Sequence, residues 1–369
     1  MRLWNLLRNS LLWLFLLPLL ILSCNHDPIQ PDPEPQPQPQ PQPEPIPEAH
    51  ASGIFVLNEG LFQMNNSTLS FYNFTEGSFT EDIFLDVNHR GLGDVGNDLQ
   101  QYGSKLYIVV NNSNIVEVVD INTVQSLKSI QLGGKQPRYI TFLDNKAYVS
   151  CFDGDVVRID TASLQVEATV HTGLNPDGIC ACNGKLYVSN SGGLNNPNYG
   201  NTVSVIDPVS FRVIKNITVG INPTRIKSWG DRYVYVVSNG NYTSVSFNFQ
   251  KIDAQSDELV KTYNMEVVNF DIYQNLAYIY TYDYSSMTSA WIKVMNLETD
   301  EVIKDQFISD GTQLKTPYGI KVNPQNGDVY ITDAGTFTTN GDVYCFDSQG
   351  RKKFSFEAGL NPQAMAFLQ

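Results

Sequence analysis

The 369-residue chain is poor in the residues that most enzymes and metal proteins depend on, with four histidines, five cysteines and four tryptophans. His26 and His50 flank a proline run, and His89 and His171 stand alone. None forms a His-x-His or His-Glu-x-x-His pattern, so no helical zinc site is written in the chain. No nucleophile elbow and no phosphate-binding glycine loop occurs. Cys151, Cys180, Cys182 and Cys345 follow no metal-ligand spacing and read as small apolar core residues, with room for one disulfide. Positive charge is also scarce: 24 Lys and Arg stand against 38 Asp and Glu, a net charge of −14. Such a surface excludes a nucleic-acid partner, whose phosphates need a basic patch. It also excludes a protein lying flat on anionic lipid. Helical periodicity is weak beyond residue 50. The reading is an all-β protein that is not an enzyme and carries no resident cofactor or metal.

A single apolar run is present, residues 11–22, preceded by Arg2 and Arg8. It is short for a membrane span and has the layout of a secretory signal. It ends in Ile21-Leu22-Ser23-Cys24, which resembles a bacterial lipobox. The resemblance implies cleavage before Cys24 and acylation of that residue. Residues 1–23 are then a lipoprotein signal peptide, and residues 24–50 are a lipidated cysteine followed by a Pro/Gln/Glu-rich tether. Alternating proline over residues 33–45 denies the chain both helix and sheet ladder, leaving an extended spacer. Asp27 resembles the acidic export signal of surface lipoproteins in Bacteroides-like bacteria. The expected location is the outer membrane, lipid-anchored and exposed at the cell surface, touching the membrane only through the anchor.

Residues 51–369 are organised by repetition, the feature to seek first in a chain of this kind. A short strand with an aromatic in second place recurs as Ile54-Phe55-Val56-Leu57, Leu106-Tyr107-Ile108-Val109, Ala147-Tyr148-Val149-Ser150, Leu186-Tyr187-Val188-Ser189, Val234-Tyr235-Val236-Val237, Ala277-Tyr278-Ile279-Tyr280 and Val329-Tyr330-Ile331-Thr332. Successive aromatics are 52, 41, 39, 48, 43 and 52 residues apart. Each run leads through a polar loop to a second strand that usually ends in Asp, as at Asp120, Asp160, Asp207 and Asp347, with Asn73 and Asn296 as substitutes. A carboxylate or amide at a strand end ties down the following turn, so this series is structural. A Gly-x-x-Pro turn before a short apolar strand completes the unit, as Gly134-Lys135-Gln136-Pro137, Gly173-Leu174-Asn175-Pro176, Gly220-Ile221-Asn222-Pro223 and Gly359-Leu360-Asn361-Pro362.

Four short strands per unit, repeated seven times, predict a seven-bladed β-propeller. Ala364-Met365-Ala366-Phe367 is a lone inner strand at the end of the chain, and Ile54 begins the domain without one. The C-terminal strand is therefore expected to close blade one, removing both edges. The repeats resemble YVTN-type propellers. The lipobox, the tether, the seven repeats, and Phe55-Val56-Leu57-Asn58-Glu59-Gly60 followed by Asn65-Asn66-Ser67-Thr68-Leu69 further resemble the BtuG-type surface lipoproteins of Bacteroidetes. That resemblance implies capture of cobalamin or another corrinoid and its delivery to an outer-membrane TonB-dependent transporter. A glycan-binding or protein-scaffold propeller is the alternative, and a propeller lyase or hydrolase a more distant one.

In a propeller, the loop entering each innermost strand and the loop after the following strand share one face. The first set offers Asn97, Asp98, Arg138, Asp177, Arg225 and Tyr318. The second offers Asn58, Glu59, Asn111, Asn190, Asn239, Tyr242 and Asp333. The longer loops at residues 190–202 and 280–290 add Tyr199 and Tyr284. Amides, aromatics and arginines in this mixture suit a bulky, amide-fringed ligand. Asn both donates and accepts, Tyr gives flat area at little entropic cost, and Arg138 or Arg225 pairs with a phosphate. These fifteen residues are the expected ligand-binding set.

Overall fold

The computed structural model describes residues 52–282 and 290–368. Cys24, the tether and Tyr284 lie outside them. The seven repeats are seven four-stranded antiparallel sheets. Blade two is representative, with strands Gly96–Tyr102, Lys105–Val110, Ile115–Asp120 and Ser126–Gln131 running from the axis outward. Its second strand is a continuous apolar run, buried from Leu106 to Val110. Alternation is lost there because both faces of the sheet are covered by neighbouring blades. The outermost strand is mostly exposed.

The recurring aromatic is a wedge between blades. Phe55, Tyr107, Tyr148, Tyr187, Tyr235, Tyr278 and Tyr330 are all buried. Tyr107 meets Phe142 of blade three edge-on at 4.9 Å, and Tyr330 of blade seven meets Phe367 in blade one at 5.2 Å. The strand-end acids fix the outer turns as expected. Asp120 accepts from the amides of Asn122 and Thr123, each at 3.0 Å, and Asn73 accepts from Thr75 and Glu76 at 2.9 and 3.1 Å. The four cysteines of the propeller are free and buried, and burial pushes their thiols up.

Closure follows the expected plan. Pro362–Leu368 pairs antiparallel with Gly53–Asn58, placing Ala366 opposite Phe55 and Met365 opposite Val56. One element departs from the sequence reading. Blade one ends in a two-residue strand, Phe79–Thr80, followed by a short helix, Ile83–Asn88. Asp82 caps this helix by accepting from Leu85 N, and Ile83 and Phe84 enter the core beside Phe71 and Leu92. The helix accounts for the long spacing between the first two aromatics, and it is too short to show a period in the sequence.

The Gly-x-x-Pro turns set the register of the inner strands. Gln136, Asn175, Asn222 and Asn361, each just before its proline, adopt left-handed φ of 52, 44, 59 and 55°. Asn takes up this conformation more readily than most residues. Each proline then opposes the last residue of the second strand: Pro137–Cys151, Pro176–Asn190, Pro223–Ser238 and Pro362–Asn58. A bulge follows in the blades of Pro137, Pro176 and Pro223, after which Ile140, Ile179 and Ile226 resume pairing. The register places Asp98, Tyr139, Gly178, Arg225, Asn269 and Ala364 in one tier around the axis. Two residues further along each strand, Gln100, Thr141, Cys180, Lys227, Asp271 and Lys321 form a second tier. Both tiers line a central cavity of about 320 Å³.

Two glycines let adjacent blades approach at the upper tier. A Cβ on Gly178 would lie 2.3 Å from the Thr224 carbonyl oxygen, and one on Gly319 would lie 2.2 Å from that of Gln363. Gly178→Ala is expected to lower stability by about 1–3 kcal/mol, the usual cost of overpacking. Urea denaturation followed by far-UV circular dichroism checks it.

Candidate ligand site on the loop face

The expected residues separate by register into two groups. Asn58, Asn190 and Asp333 end second strands opposite a proline, and all are buried. Asn58 donates to Thr68 Oγ1 at 2.9 Å and Ser70 Oγ at 2.8 Å, and it accepts from Gly359 N at 3.0 Å. Asn190 repeats the two donations, to Thr202 Oγ1 and Ser204 Oγ at 3.0 and 2.8 Å. Asp333 accepts from the backbone amides of Lys315, Thr316 and Gly335. Asn111 donates to Pro137 O at 2.9 Å, stitching blade two to blade three. These bonds tie the strand ends to neighbouring strands and turns, while Asn190 Oδ1 is buried without a hydrogen-bond partner among the described residues.

A second group converges at the mouth of the channel. Arg138 donates from Nε to Asp177 Oδ1 at 3.0 Å and from a terminal nitrogen to Asn97 Oδ1, while Asn97 donates back to the Arg138 carbonyl. The guanidinium lies 4.4 Å from the centre of the Phe152 ring. Arg138 is thereby held between a carboxylate, an amide and an aromatic face. Arg225, from the next blade but one, sits 4.8 Å over the Tyr139 ring. Among the described residues it has no ion pair and no hydrogen bond. Burial lowers its pKa, the like charge of Arg138 lowers it further, and Tyr280, Tyr318 and Asp98 oppose the shift.

Across the mouth, the Tyr318 hydroxyl donates to Glu59 Oε2, and the Tyr318 ring packs edge-on against Phe337 at 5.7 Å. Burial pushes the Glu59 carboxyl above its ordinary value, against the Tyr318 hydrogen bond and the charges of Arg138 and Arg225. Asp98 is buried below the rim. Its Oδ1 accepts from Leu99 N at 2.9 Å and its Oδ2 from Ile140 N at 3.0 Å. Burial raises its pKa in spite of these amides.

Tyr199, Asn239 and Tyr242 lie to one side, over blades four and five. The Tyr199 and Tyr242 rings meet edge-on at 6.0 Å, and Asn239 donates to the Tyr242 hydroxyl at 3.3 Å. Tyr242 is 61% exposed. The structure therefore brings together Glu59, Asn97, Arg138, Asp177, Arg225 and Tyr318 at the axis, with the tyrosine pair as an outlying wall. Sequence reasoning missed Tyr139 as a site residue, although its place two residues after Pro137 is shared with Arg225 two after Pro223. It also missed Lys227, Asp271 and Lys321. The rule that every second residue of an inner strand faces the axis would have found all four.

The raised Glu59 carboxyl gives a signed expectation. A group that binds its proton more tightly when folded costs stability once pH rises above its unfolded value, 4.5 for Glu. Glu59→Gln keeps an acceptor for Tyr318 and removes the charge. The variant is expected to be the more stable protein at pH 7, with the difference closing as pH falls through the raised folded value towards 4.5 and absent below it. Urea midpoints at pH 7 and pH 4 measure it.

The chain is similar in structure to a quinonprotein alcohol dehydrogenase-like protein from Bacteroides thetaiotaomicron, at a TM-score of 0.61 and 16% identity, covering 85% of this chain and 78% of that one. Hydrazine synthase of Kuenenia stuttgartiensis gives a TM-score of 0.57 at 17% identity over 69% of this chain and 76% of that one. A computationally designed protein, Ika8, gives 0.55 at 14% identity over 88% of this chain and 93% of that one. Likeness at this level shows the propeller fold alone. No curated protein sequence matches the chain. The family model described as a domain of unknown function, DUF5074, matches residues 52–367, the whole propeller, and the chain belongs to that family.

Proposed function

We propose that this protein is a lipid-anchored surface propeller that captures a corrinoid on its loop face and hands it to an outer-membrane TonB-dependent transporter. The observation that carries the reading is Arg225, an arginine without an acid partner, stacked on Tyr139 where the channel opens. A corrinoid of the cobalamin type bears one phosphate in its nucleotide loop, many peripheral carboxamides and a broad, largely apolar ring system. A bidentate guanidinium suits the phosphate. Flat area comes from Phe152, Tyr318 and Phe337, with Tyr199 and Tyr242 to the side. Asn97, Asn239 and Asn269 stand within or beside the mouth to meet carboxamides. The lipobox at Cys24 and the resemblance to BtuG-type lipoproteins support the same reading, as does the absence of a nucleophile or metal motif in the sequence.

Calorimetric titration of the full chain in detergent with cyanocobalamin tests it. One-to-one binding is expected. A charge-assisted hydrogen bond contributes about 1.5–3 kcal/mol, so Arg225→Ala should weaken binding by about tenfold or more. Phe152→Ala should weaken it less. Absence of heat together with absence of co-elution rejects the corrinoid reading.

A further inference from the structure

The cavity below the rim holds its own arrangement of charge. Its lining contains three cations, Arg225, Lys227 and Lys321, and two carboxylates, Asp98 and Asp271, a sum of +1. The chain as a whole carries −14, so the axis is the reverse of the surface. Both carboxylates are satisfied by the protein. Asp271 accepts from Lys227 Nζ at 2.7 Å and from Val322 N at 2.8 Å. Asp98 accepts from Leu99 N at 2.9 Å, Gln100 Nε2 at 3.2 Å and Ile140 N at 3.0 Å.

The two remaining cations are not satisfied. Among the described residues, Lys321 makes no hydrogen bond or ion pair, and neither does Arg225. Both are half-buried and have no protein acceptor, so their donors are left for solvent or a ligand, and a positive channel concentrates field lines on an incoming anion. Arg225 belongs to the upper tier and Lys321 to the lower. The tiers are two strand residues apart, about 6–7 Å along the axis at the usual rise. That leaves one cation near each end of a cavity of about 320 Å³, enough for a molecule of a few heavy atoms.

We infer that the channel is a binding site for a small oxyanion, a carboxylate or phosphate compound held by Lys321 below and reached from the Arg225 side. This site lies under the rim and does not depend on the corrinoid reading. The lowered pKa of Lys321, caused by burial and by Lys227 and opposed by Asp271 and Asp98, is what an anion would reverse. Gln100, Thr141 and Asn269 supply neutral polar groups along the wall.

The test titrates the full chain in detergent with succinate and, separately, with inorganic phosphate. Thermal shift and calorimetry are read against sodium chloride at matched ionic strength. Saturable binding of either anion is expected, and which one binds identifies the chemistry. Lys321→Met keeps the length of the side chain and removes its charge. It should weaken that binding at least tenfold while leaving the unliganded melting temperature at or above that of the parent. Lys321→Arg should restore most of it. Cyanocobalamin is titrated into the same samples, so loss of corrinoid binding and loss of anion binding are read apart. No anion binding beyond the chloride control overturns the inference. So does binding that survives Lys321→Met and is lost only with Arg225→Ala, since the anion then sits at the rim.

Discussion

Everything in this molecule depends on one strand pairing, the ladder between Pro362–Leu368 and Gly53–Asn58. Without it, blade one has no inner strand and blade seven has no neighbour on its far side. Two ladders of unpaired amides and carbonyls would face water, with Phe55, Tyr330 and Phe367 uncovered beside them. A propeller buries its second strands on both faces only if the ring is complete. The aromatic wedges at 107, 148, 187, 235, 278 and 330 therefore stabilise the fold jointly. The cost of bringing chain ends some 300 residues apart into contact grows only slowly with that separation.

Much of the architecture was legible because each blade states the same physics again. A second strand buried on both faces must be apolar, its wedge position must hold a flat ring, and the exit turn of the third strand needs an acceptor. Repetition turned those weak local signals into a firm count of blades. The helix at Ile83–Asn88 was not legible, since six residues with two buried apolar side chains carry no period. The family match to DUF5074 agrees with the fold and adds no chemistry.

The site was less legible, for a reason visible in particular residues. Asn58 and Asn190 were singled out as loop asparagines, and both turn inward to hold their own strands. Asparagine is common in turns because it satisfies backbone groups, and that property hides it among ligand-binding amides. The channel residues Lys227, Asp271 and Lys321 were passed over because they lie inside strands. On an inner propeller strand, one face of the pleat is open to the axis, so strand interiors are site residues there. Arg138 and Arg225 were found from sequence, but only coordinates separate them. Arg138 is locked by Asp177 and Asn97, and Arg225 is left unpaired.

The hydrogen bond from Tyr318 to Glu59 crosses the same seam that the terminal strand closes, since Tyr318 belongs to blade seven and Glu59 follows the second strand of blade one. The backbone reinforces it locally: Glu59 N donates to Asn361 O, Gly60 N donates to Leu360 O, and the Asn361 side chain donates to Gly60 O. A ligand resting on Glu59 and Tyr318 would therefore bridge the two ends of the folded chain. By linkage, its binding energy would be shared with the ring, and the seam would open more rarely when the site is full than when it is empty. The place where the molecule is fastened and the mouth proposed here as a ligand site are one clasp.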